Sequence, residues 1–451
     1  MKIYLSLFLL LALHLLILNQ LQFTAWPEML SYPFFLNNGF KLYQDMAFPY
    51  QPLLVFILSA VYKVFGYSVI NLQIFTWSII LLNDLLIFLI IKKILNTKLS
   101  LVTVLFYILF QSFTDGNMLW FDLATVPFIL GGLITYLYLN NLKKYLWFGF
   151  FLSLAALTKQ QVALAGILVL LFLVFSTKSF KIVLCYVLGA IIPALGVLVY
   201  VLANGILSDY IFWTFQVPIV WYPKFPGYAH LPSSREWLRV VLIFSPIIVA
   251  LVNYKKWYQI NLLLFLIFIA TFLTSFPRFE YFRLQPTIAI LIIITAIFIS
   301  WSKRNIALFA IIALLFAVIS IPKHFQQTND KVRFYSAEDI SEFQLISSKT
   351  SQQDKIYLLG LSSMDYVFSA KLTSKPWVDN YIWYMEIPGI QQKVIDGFKQ
   401  EGVKYIFWKN PQPDQWFELG SYQPKQIVDY IRNDYTYLES FNNIQLWVKK
   451  D

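Results

Sequence analysis

Long apolar runs separated by short polar clusters fill most of the chain before residue 322. A run of about 20 apolar residues is the length that a helix needs to cross a bilayer. The pattern therefore predicts a polytopic α-helical membrane protein with about 11 transmembrane helices. The predicted spans lie near residues 3–21, 69–91, 99–113, 123–140, 146–158, 161–176, 180–203, 237–253, 258–275, 284–301 and 305–321.

Clusters of basic residues lie between these apolar runs, in every second loop. If each run crosses once and the N-terminus is cytoplasmic, five basic clusters all face the cytoplasm, as the positive-inside rule requires. We therefore expect a multi-pass protein of the cell membrane whose first span is an uncleaved anchor. The clusters are Lys92/Lys93/Lys98, Lys143/Lys144, Lys178/Lys181, Lys255/Lys256 and Lys303/Arg304.

The first outer loop, residues 22–68, contains a further apolar stretch at 52–66. Its 15 residues extend only about 22 Å as a helix, and the hydrocarbon core is about 30 Å thick. A crossing here would also place every basic cluster downstream on the outer side. We therefore expect a juxtamembrane helix that lies at the membrane interface.

The composition changes near Lys323, where charged and apolar residues begin to mix as they do in soluble domains. Residues 1–322 are the predicted membrane domain, and residues 323–451 are a predicted small extracytoplasmic α/β domain. Its expected strands are Lys355–Leu359, Lys404–Trp408 and Ile444–Val448, and its expected helices are Gln391–Gln400 and Pro424–Asn433.

Composition excludes several kinds of site. Of 451 residues, 13% are charged and 59% are hydrophobic, and the net charge is +11. This charge is explained by membrane topology, so no nucleic-acid partner is expected. The single cysteine, Cys185, excludes a disulfide framework or a thiolate metal site. Since His230 and His324 lack metal-ligand spacing, no metal or other cofactor is predicted, although an unindicated divalent metal stays open.

Three acids on the outer side are candidate catalytic residues: Glu28, Asp45 and Asp122, with Asp115 close behind. A carboxylate at the membrane surface can accept a proton from a hydroxyl group that acts as nucleophile. Aromatic neighbours of Glu28 and Asp45 favour this role, because an apolar setting raises the proton affinity of a carboxylate. The alternatives are a solvated surface charge or, for Asp122, an N-cap of a helix that starts at Leu123.

Four outer cations are candidates for binding a substrate phosphate: Lys41, Lys159, Arg278 and Arg283. Lysine and arginine are disfavoured on this side of a membrane, and arginine fits a phosphate well. Contact with lipid headgroups or a pair with Glu280 is the alternative. Within the spans, Asn83 and Asp84 are interpreted as groups in interhelical bonds, and His14 is interpreted as a satisfied polar residue of the first span.

Five segments, in this order, resemble the GT-C superfamily of polytopic glycosyltransferases, near its protein O-mannosyltransferase and aminoarabinose transferase branches. These are Gly39 to Asp45, Tyr50-Gln51-Pro52-Leu53 through Phe65-Gly66, Asp122, Ala155 to Lys159, and Arg283 to Pro286. The resemblance covers most of residues 1–300. This chain departs from the superfamily in two places. It has only Glu28 where an Asp-Glu pair is usual, and Tyr50-Gln51 where Lys or His precedes Pro-Pro.

The resemblance implies an enzyme that transfers a sugar from a polyprenyl-phosphate donor to an acceptor hydroxyl on the outer face, in one inverting displacement. It implies that Glu28 or Asp45 takes the proton, with Asp122 as a further catalytic acid, and that Lys159 and Arg283 stabilise the leaving phosphate. The expected partners are the lipid-linked sugar, membrane lipid and a glycan, lipid or protein acceptor.

Two other classes of function stay open at this stage. A secondary transporter or flippase would place ionisable groups near the membrane midplane, where Asp84 is the main candidate. No inverted repeat is evident, and the long outer loop and the C-terminal domain have no role in a transporter. A non-catalytic scaffold of the same fold is the third class, favoured by the missing Asp-Glu pair.

Overall fold

The structure, a computed structural model, describes residues 2–225, 227–252, 259–326, 330–379, 382–410 and 424–450. The chain forms two compact units, each assembled from three separate stretches. The first unit is Met1–Thr24, Gln73–Val199 and His230–Arg333; the second is Ala25–Leu72, Tyr200–Ala229 and Phe334–Asp451. Both units combine early and late segments of the chain, and the predicted boundary at residue 322 stays a prediction.

Each predicted span coincides with a helix. Seven candidate spans within the described residues have both the length and the composition to cross a membrane. These are Lys2–Gln20, Val69–Ile94, Phe121–Tyr138, Gln160–Thr177, Phe180–Ala203, Tyr281–Ile299 and Lys303–Phe325. The other predicted spans are the helices Thr97–Ser112, Lys143–Thr158, Ser234–Val252 and Gln259–Leu273.

The basic clusters lie at helix ends, as expected. Lys92 and Lys93 are in the last turn of Val69–Ile94, and Lys303 begins the helix that ends at Gln326. Lys255 and Lys256 lie outside the described residues. The helices expose large apolar side chains such as Phe175 on their outer surfaces, as lipid contact requires.

One helix forms the centre of the first unit. All 15 residues of Gln285–Ile299 are buried, and most of them are apolar. A helix that is apolar all round is stable only inside a bundle. Next to this bundle, a short parallel pairing of Phe23–Thr24 with Val332–Arg333 joins the end of the first span to the end of the last.

The second unit begins with the first outer loop. A helix at Glu28–Asn37 places Glu28 in its first turn, where a negative charge complements the helix dipole. The chain turns at Gly39 and Tyr43, both of which have positive φ angles. The predicted juxtamembrane helix is present at Leu53–Phe65. It ends at Gly66, whose φ of 78° is favoured in glycine.

The segment 200–225 is largely helical. An α-helix at Leu207–Ile211 continues into a π-helix at Phe212–Trp221 and a 3₁₀ turn at Tyr222–Lys224. Tyr210 donates a hydrogen bond to the Gln51 side chain over 3.0 Å, so this segment is fixed to the first outer loop.

The C-terminal part of the second unit is a small α/β arrangement, as predicted. Its sheet has the strand order Ile356–Leu359, Tyr405–Lys409, Ile444–Lys449 and Tyr435–Phe441. The first two strands are parallel, and the last two form an antiparallel hairpin. Its helices are Ala337–Lys349, Met364–Phe368, Ile382–Met385, Ile390–Glu401 and Lys425–Asp434.

Candidate active site

In the first unit, Asp122 and Lys159 form a buried ion pair. The Lys159 Nζ lies 2.6 Å from Asp122 Oδ1, and both side chains are almost completely shielded from solvent. The helix containing Asp122 begins at Phe121, and its N-cap is Trp120. The alternative role of Asp122 as an N-cap is therefore wrong, because this carboxylate is directed to a lysine on another helix pair.

Lys159 is held in the turn between two membrane helices. Its backbone closes the helix Lys143–Thr158, and a 3₁₀ turn at Gln160–Val162 follows. Its Nζ also donates to the Thr274 carbonyl over 3.3 Å. Burial lowers the pKa of Lys159 to about 8, and the nearby Arg283 lowers it further, although Asp122 opposes both effects.

Arg283 lies in the turn Tyr281–Leu284, directly before the buried central helix, and its side chain is itself buried. Its guanidinium stands 5.9 Å from the centre of the Phe282 ring. The next polar residue, Gln285, donates from its side chain to the Thr114 carbonyl and hydroxyl over 3.1 and 3.2 Å. These bonds fix the end of the helix that presents Arg283.

Arg278 lies in the same outer turn region, with its Nε 3.9 Å from Glu280 Oε1. Burial raises the pKa of Glu280, an effect that Arg278 and Arg283 oppose. The Arg278–Glu280 pair, which was one predicted alternative, is therefore present, with a long distance between its nitrogen and oxygen atoms. The first unit therefore brings together Asp122, Lys159 and Arg283, with Arg278 connected to this group through Glu280.

In the second unit, Asp45 is engaged by two donors. Its Oδ2 accepts from the backbone N–H of Lys41 over 2.9 Å and from Lys375 Nζ over 2.9 Å. The Lys41 ammonium is directed elsewhere, to the Asn204 carbonyl at 3.4 Å. Asp45 therefore closes the turn Lys41–Asp45 and fixes it to the C-terminal segment.

Glu28 lies in a more enclosed setting, with only 4% of its surface exposed. One helical turn later, Tyr32 donates to the Ala47 carbonyl over 2.8 Å. Burial raises the pKa of Tyr32 well above its ordinary value, and the negative charges of Asp379 and Glu28 add to this effect. Glu28 is therefore a buried carboxylate whose charge acts on Tyr32.

Comparison with known proteins adds to this geometry. The sequence family described as dolichyl-phosphate-mannose-protein mannosyltransferase matches residues 49–207, a range that includes Asp122 and Lys159. No curated protein sequence matches the chain.

Several solved structures have the same fold. ArnT from Cupriavidus metallidurans in the apo state aligns with a TM-score of 0.59 at 13% identity, covering 97% of both chains. Its complex with undecaprenyl phosphate gives 0.59 at 12% identity, covering 99% of this chain and 97% of that one. The archaeal oligosaccharyltransferase AglB from Archaeoglobus fulgidus, in complex with an inhibitory peptide and a dolichol-phosphate, gives 0.57 at 10%, covering 98% and 74%.

The structural matches establish the fold, and the family match covers residues 49–207. The chain has the fold of these glycosyltransferases, and the family match indicates the same class of enzyme. The predicted polytopic helical fold with a small C-terminal sheet region is confirmed, and so is the predicted enzyme class. The individual site residues stay predictions.

The sequence did not indicate three polar residues that hold the candidate groups of this glycosyltransferase. Lys375 pairs with Asp45 across 330 positions of sequence. Thr274 accepts from Lys159, and Gln285 fixes the segment that presents Arg283. The only sequence signal was for Gln285, which stands inside the Arg283 to Pro286 motif of the superfamily.

Two histidines of the glycosyltransferase have carboxylate partners. His14 Nδ1 lies 2.7 Å from Asp84 Oδ2, and His14 Nε2 lies 3.0 Å from Gln111 Oε1, which confirms the predicted interhelical bonding. His324 Nε2 lies 3.1 Å from Asp115 Oδ1. Within the described ranges, no three His, Cys, Asp or Glu side chains form a group that could hold a metal ion.

Proposed function

We propose that this glycosyltransferase transfers a sugar from a polyprenyl-phosphate-sugar donor to an acceptor hydroxyl on the extracytoplasmic face, with inversion at the anomeric carbon. The solved relatives support a polyprenyl carrier, because one is bound to undecaprenyl phosphate and another to a dolichol-phosphate. The basic clusters at helix ends support an orientation with the N-terminus in the cytoplasm and the C-terminal part outside.

One observation carries the proposal: Lys159 and Arg283, both buried, lie close together at the ends of membrane helices, with Asp122 bonded to the lysine. A phosphate group of the donor gains negative charge when the sugar departs, so two neighbouring cations stabilise the leaving group.

The general base is assigned to Glu28 rather than Asp45. Asp45 accepts two hydrogen bonds, one of them from the Lys375 ammonium, so its Oδ2 is engaged in holding the turn and the C-terminal segment. Glu28 is almost completely buried in the first turn of its helix, and the resemblance places it where the superfamily carries acids after its first span.

In the proposed step, the acceptor oxygen forms a bond to the anomeric carbon on the face opposite the phosphate. The bond between that carbon and the phosphate oxygen breaks, and its electron pair leaves with the polyprenyl phosphate. The Glu28 carboxylate takes the hydroxyl proton. Atoms and charges balance without a metal or a redox cofactor, and bound orientation supplies much of the rate enhancement.

The experiment uses the full chain in proteoliposomes with undecaprenyl-phosphate sugars and measures the release of undecaprenyl phosphate by mass spectrometry. We expect Glu28→Gln to reduce turnover at least about 100-fold with donor binding retained, and Lys159→Met to weaken donor binding. Glu439→Gln is the matched control, because Glu439 pairs with Lys349 in a partly exposed ion pair of the C-terminal sheet region.

Retained turnover in Glu28→Gln would remove the assigned base. If the wild type neither binds nor consumes any lipid-phosphate sugar in the panel, the proposed donor class is wrong.

A further inference from the structure

The loop 113–120 is connected to both groups of the candidate site in the first unit. It leads directly into the helix that carries Asp122 in its first turn. The carbonyl and the hydroxyl of its Thr114 accept hydrogen bonds from the Gln285 side chain over 3.1 and 3.2 Å. Since Gln285 follows Arg283 by two residues, the conformation of this loop affects where both Asp122 and Arg283 lie.

One side of the loop is held by Gln111, in the helix that precedes it. The Gln111 Nε2 donates to the Gly116 carbonyl over 3.0 Å, and the Gln111 Oε1 lies 3.0 Å from His14 Nε2. A Cβ placed on Gly116 would lie 2.0 Å from the Gln111 carbonyl oxygen, so the loop packs against the helix with no room for a side chain. These contacts fix the loop to the membrane helices of the first unit.

A further contact holds the loop, between Asp115 and His324. Asp115 has a φ of 52°, a left-handed conformation that aspartate adopts more readily than most residues. Its Oδ1 lies 3.1 Å from His324 Nε2. His324 is in the last turn of the helix Lys303–Gln326, and its Nδ1 lies 2.9 Å from the Ser320 carbonyl oxygen. The contact therefore joins the loop to the end of another membrane helix.

Both ring nitrogens of His324 face acceptor atoms. The Ser320 carbonyl can only accept, so Nδ1 must carry a proton. In a neutral imidazole, Nε2 would then be an acceptor that faces the ionised Asp115 carboxylate, which is also an acceptor. A hydrogen bond between these two side chains therefore requires the imidazolium, in which both nitrogens donate. A positive charge is also favourable in the last turn of a helix, at the negative end of its dipole.

We propose that His324 is a positioning residue of this enzyme, which in its protonated form holds Asp115 and keeps the loop 113–120 in the conformation that presents Arg283 to the donor phosphate. Loss of the proton leaves two acceptors facing each other, so the loop is released at Asp115. Donor affinity should therefore fall as this histidine loses its charge. The inference rests on the proposed function, because it takes the donor phosphate as the ligand of Arg283.

Other groups near this pair also titrate or carry charge, and the test must separate their effects from that of His324. They are Lys323, His230, Glu236, Arg278, Glu280 and Tyr281. Two of them are competing causes of a pH dependence. His230 is itself a histidine, and burial raises the pKa of Glu280, whose charge acts on Arg283. The variants His230→Gln and Glu280→Gln remove these two titrations.

The test is the dissociation constant of an undecaprenyl-phosphate sugar for the full chain in proteoliposomes, measured between about pH 5 and 7. The phosphodiester of this donor keeps one negative charge over that range, and Lys159, with a pKa of about 8, stays largely charged. We expect the affinity of the wild type to fall about 3-fold as the pH rises. The same fall should persist in His230→Gln and Glu280→Gln.

Two variants of the pair itself should remove the pH dependence in different ways. In His324→Phe, the ring that packs against Phe113 is kept but cannot donate, so donor affinity should be low at every pH. In Asp115→Asn, the amide can donate to a neutral histidine or accept from a charged one. Asparagine also tolerates the left-handed backbone, so donor affinity should stay high at every pH.

A wild-type affinity that does not change with pH would overturn this inference. So would a fall that persists in Asp115→Asn or disappears in His230→Gln or Glu280→Gln. If His324→Phe fails to fold, Asp115→Asn decides alone, because the inference requires its profile to be flat. A wild type that binds no lipid-phosphate sugar at any pH would instead contradict the proposed function.

Discussion

The ammonium of Lys159 and the carboxylate of Asp122 are 2.6 Å apart and almost completely buried, although 37 residues separate them in the sequence. Two charges brought out of water must compensate each other closely, and the strength of this contact shows in its short distance. The pair therefore has two properties that experiments can separate. Removal of one partner should destabilise the fold, and the positive charge of Lys159 can bind a substrate phosphate.

Single substitutions should separate these properties. Asp122→Asn or Lys159→Met leaves one buried charge uncompensated, and we expect each to lower the free energy of unfolding by about 3–5 kcal/mol. The double variant removes both charges, so it should regain most of that stability while donor binding stays weak. Thermal unfolding in detergent and donor binding by calorimetry measure the two effects.

The control for this comparison is Glu439→Gln, which breaks a partly exposed pair with Lys349 and should cost about 0–1 kcal/mol. A double variant as unstable as either single variant would show that the two side chains are not coupled through their charges.

The pKa of Lys159 predicts a pH dependence of donor binding. With a value of about 8, the ammonium loses its proton as the pH rises through that value, so donor affinity should fall between pH 7 and 9. Lys159→Arg, which stays charged over this range, should abolish the decline. The measurement is the donor dissociation constant across that pH range, and an unchanged affinity in the wild type would contradict the role of Lys159.

The pKa of Lys159 also predicts that the free energy of unfolding rises with pH, whereas donor affinity falls. Its folded pKa of about 8 is below the ordinary value of 10.5. Between these values the unfolded chain binds more protons than the folded one, so stability should rise with pH as the buried charge is lost. In Lys159→Met, the free energy of unfolding should not rise in this way between the two pKa values of about 8 and 10.5.

The membrane helices were predictable because their signal is local. An apolar run of sufficient length predicts a span by itself, and each predicted run coincides with a helix, including the pair separated at Lys159. Strands with buried positions were also predictable, and Ile356–Leu359 lies within one residue of its predicted bounds. The strand Tyr435–Phe441 was missed because most of its residues are exposed, which weakens the hydrophobic signal.

The site was predictable only as a set of residue types. Outer acids and cations stand out against the apolar background, so Asp122, Lys159 and Arg283 were all identified. Their pairing was not, because sequence spacing carries no information about which distant helices meet. Lys375 was missed for the same reason: it lies in the C-terminal part, and only the folded chain brings it to Asp45.

The contact between Asp45 and Lys375 should be structural. Asp45→Asn and Lys375→Met should each lower the free energy of unfolding by about 0.5–1 kcal/mol, because Lys375 is partly solvated and its pair is screened. The double variant should lose little more than either single variant. Both single variants should also keep more than about a tenth of the wild-type turnover. Abolished turnover in Asp45→Asn alone would return the role of base to Asp45.

Close packing of two membrane helices should depend on Gly189. A Cβ placed there would overlap the carbonyl oxygen of Leu146, whereas one placed on Gly196, on the same helix, meets no atom within 4 Å. Gly189→Ala must push the backbones of Lys143–Thr158 and Phe180–Ala203 apart, which costs about 1–3 kcal/mol. Gly196→Ala should instead be neutral or stabilise by up to about 1 kcal/mol, since alanine favours a helix. Thermal unfolding of both variants in one detergent measures the difference, and equal midpoints would show that the helices separate freely at Gly189.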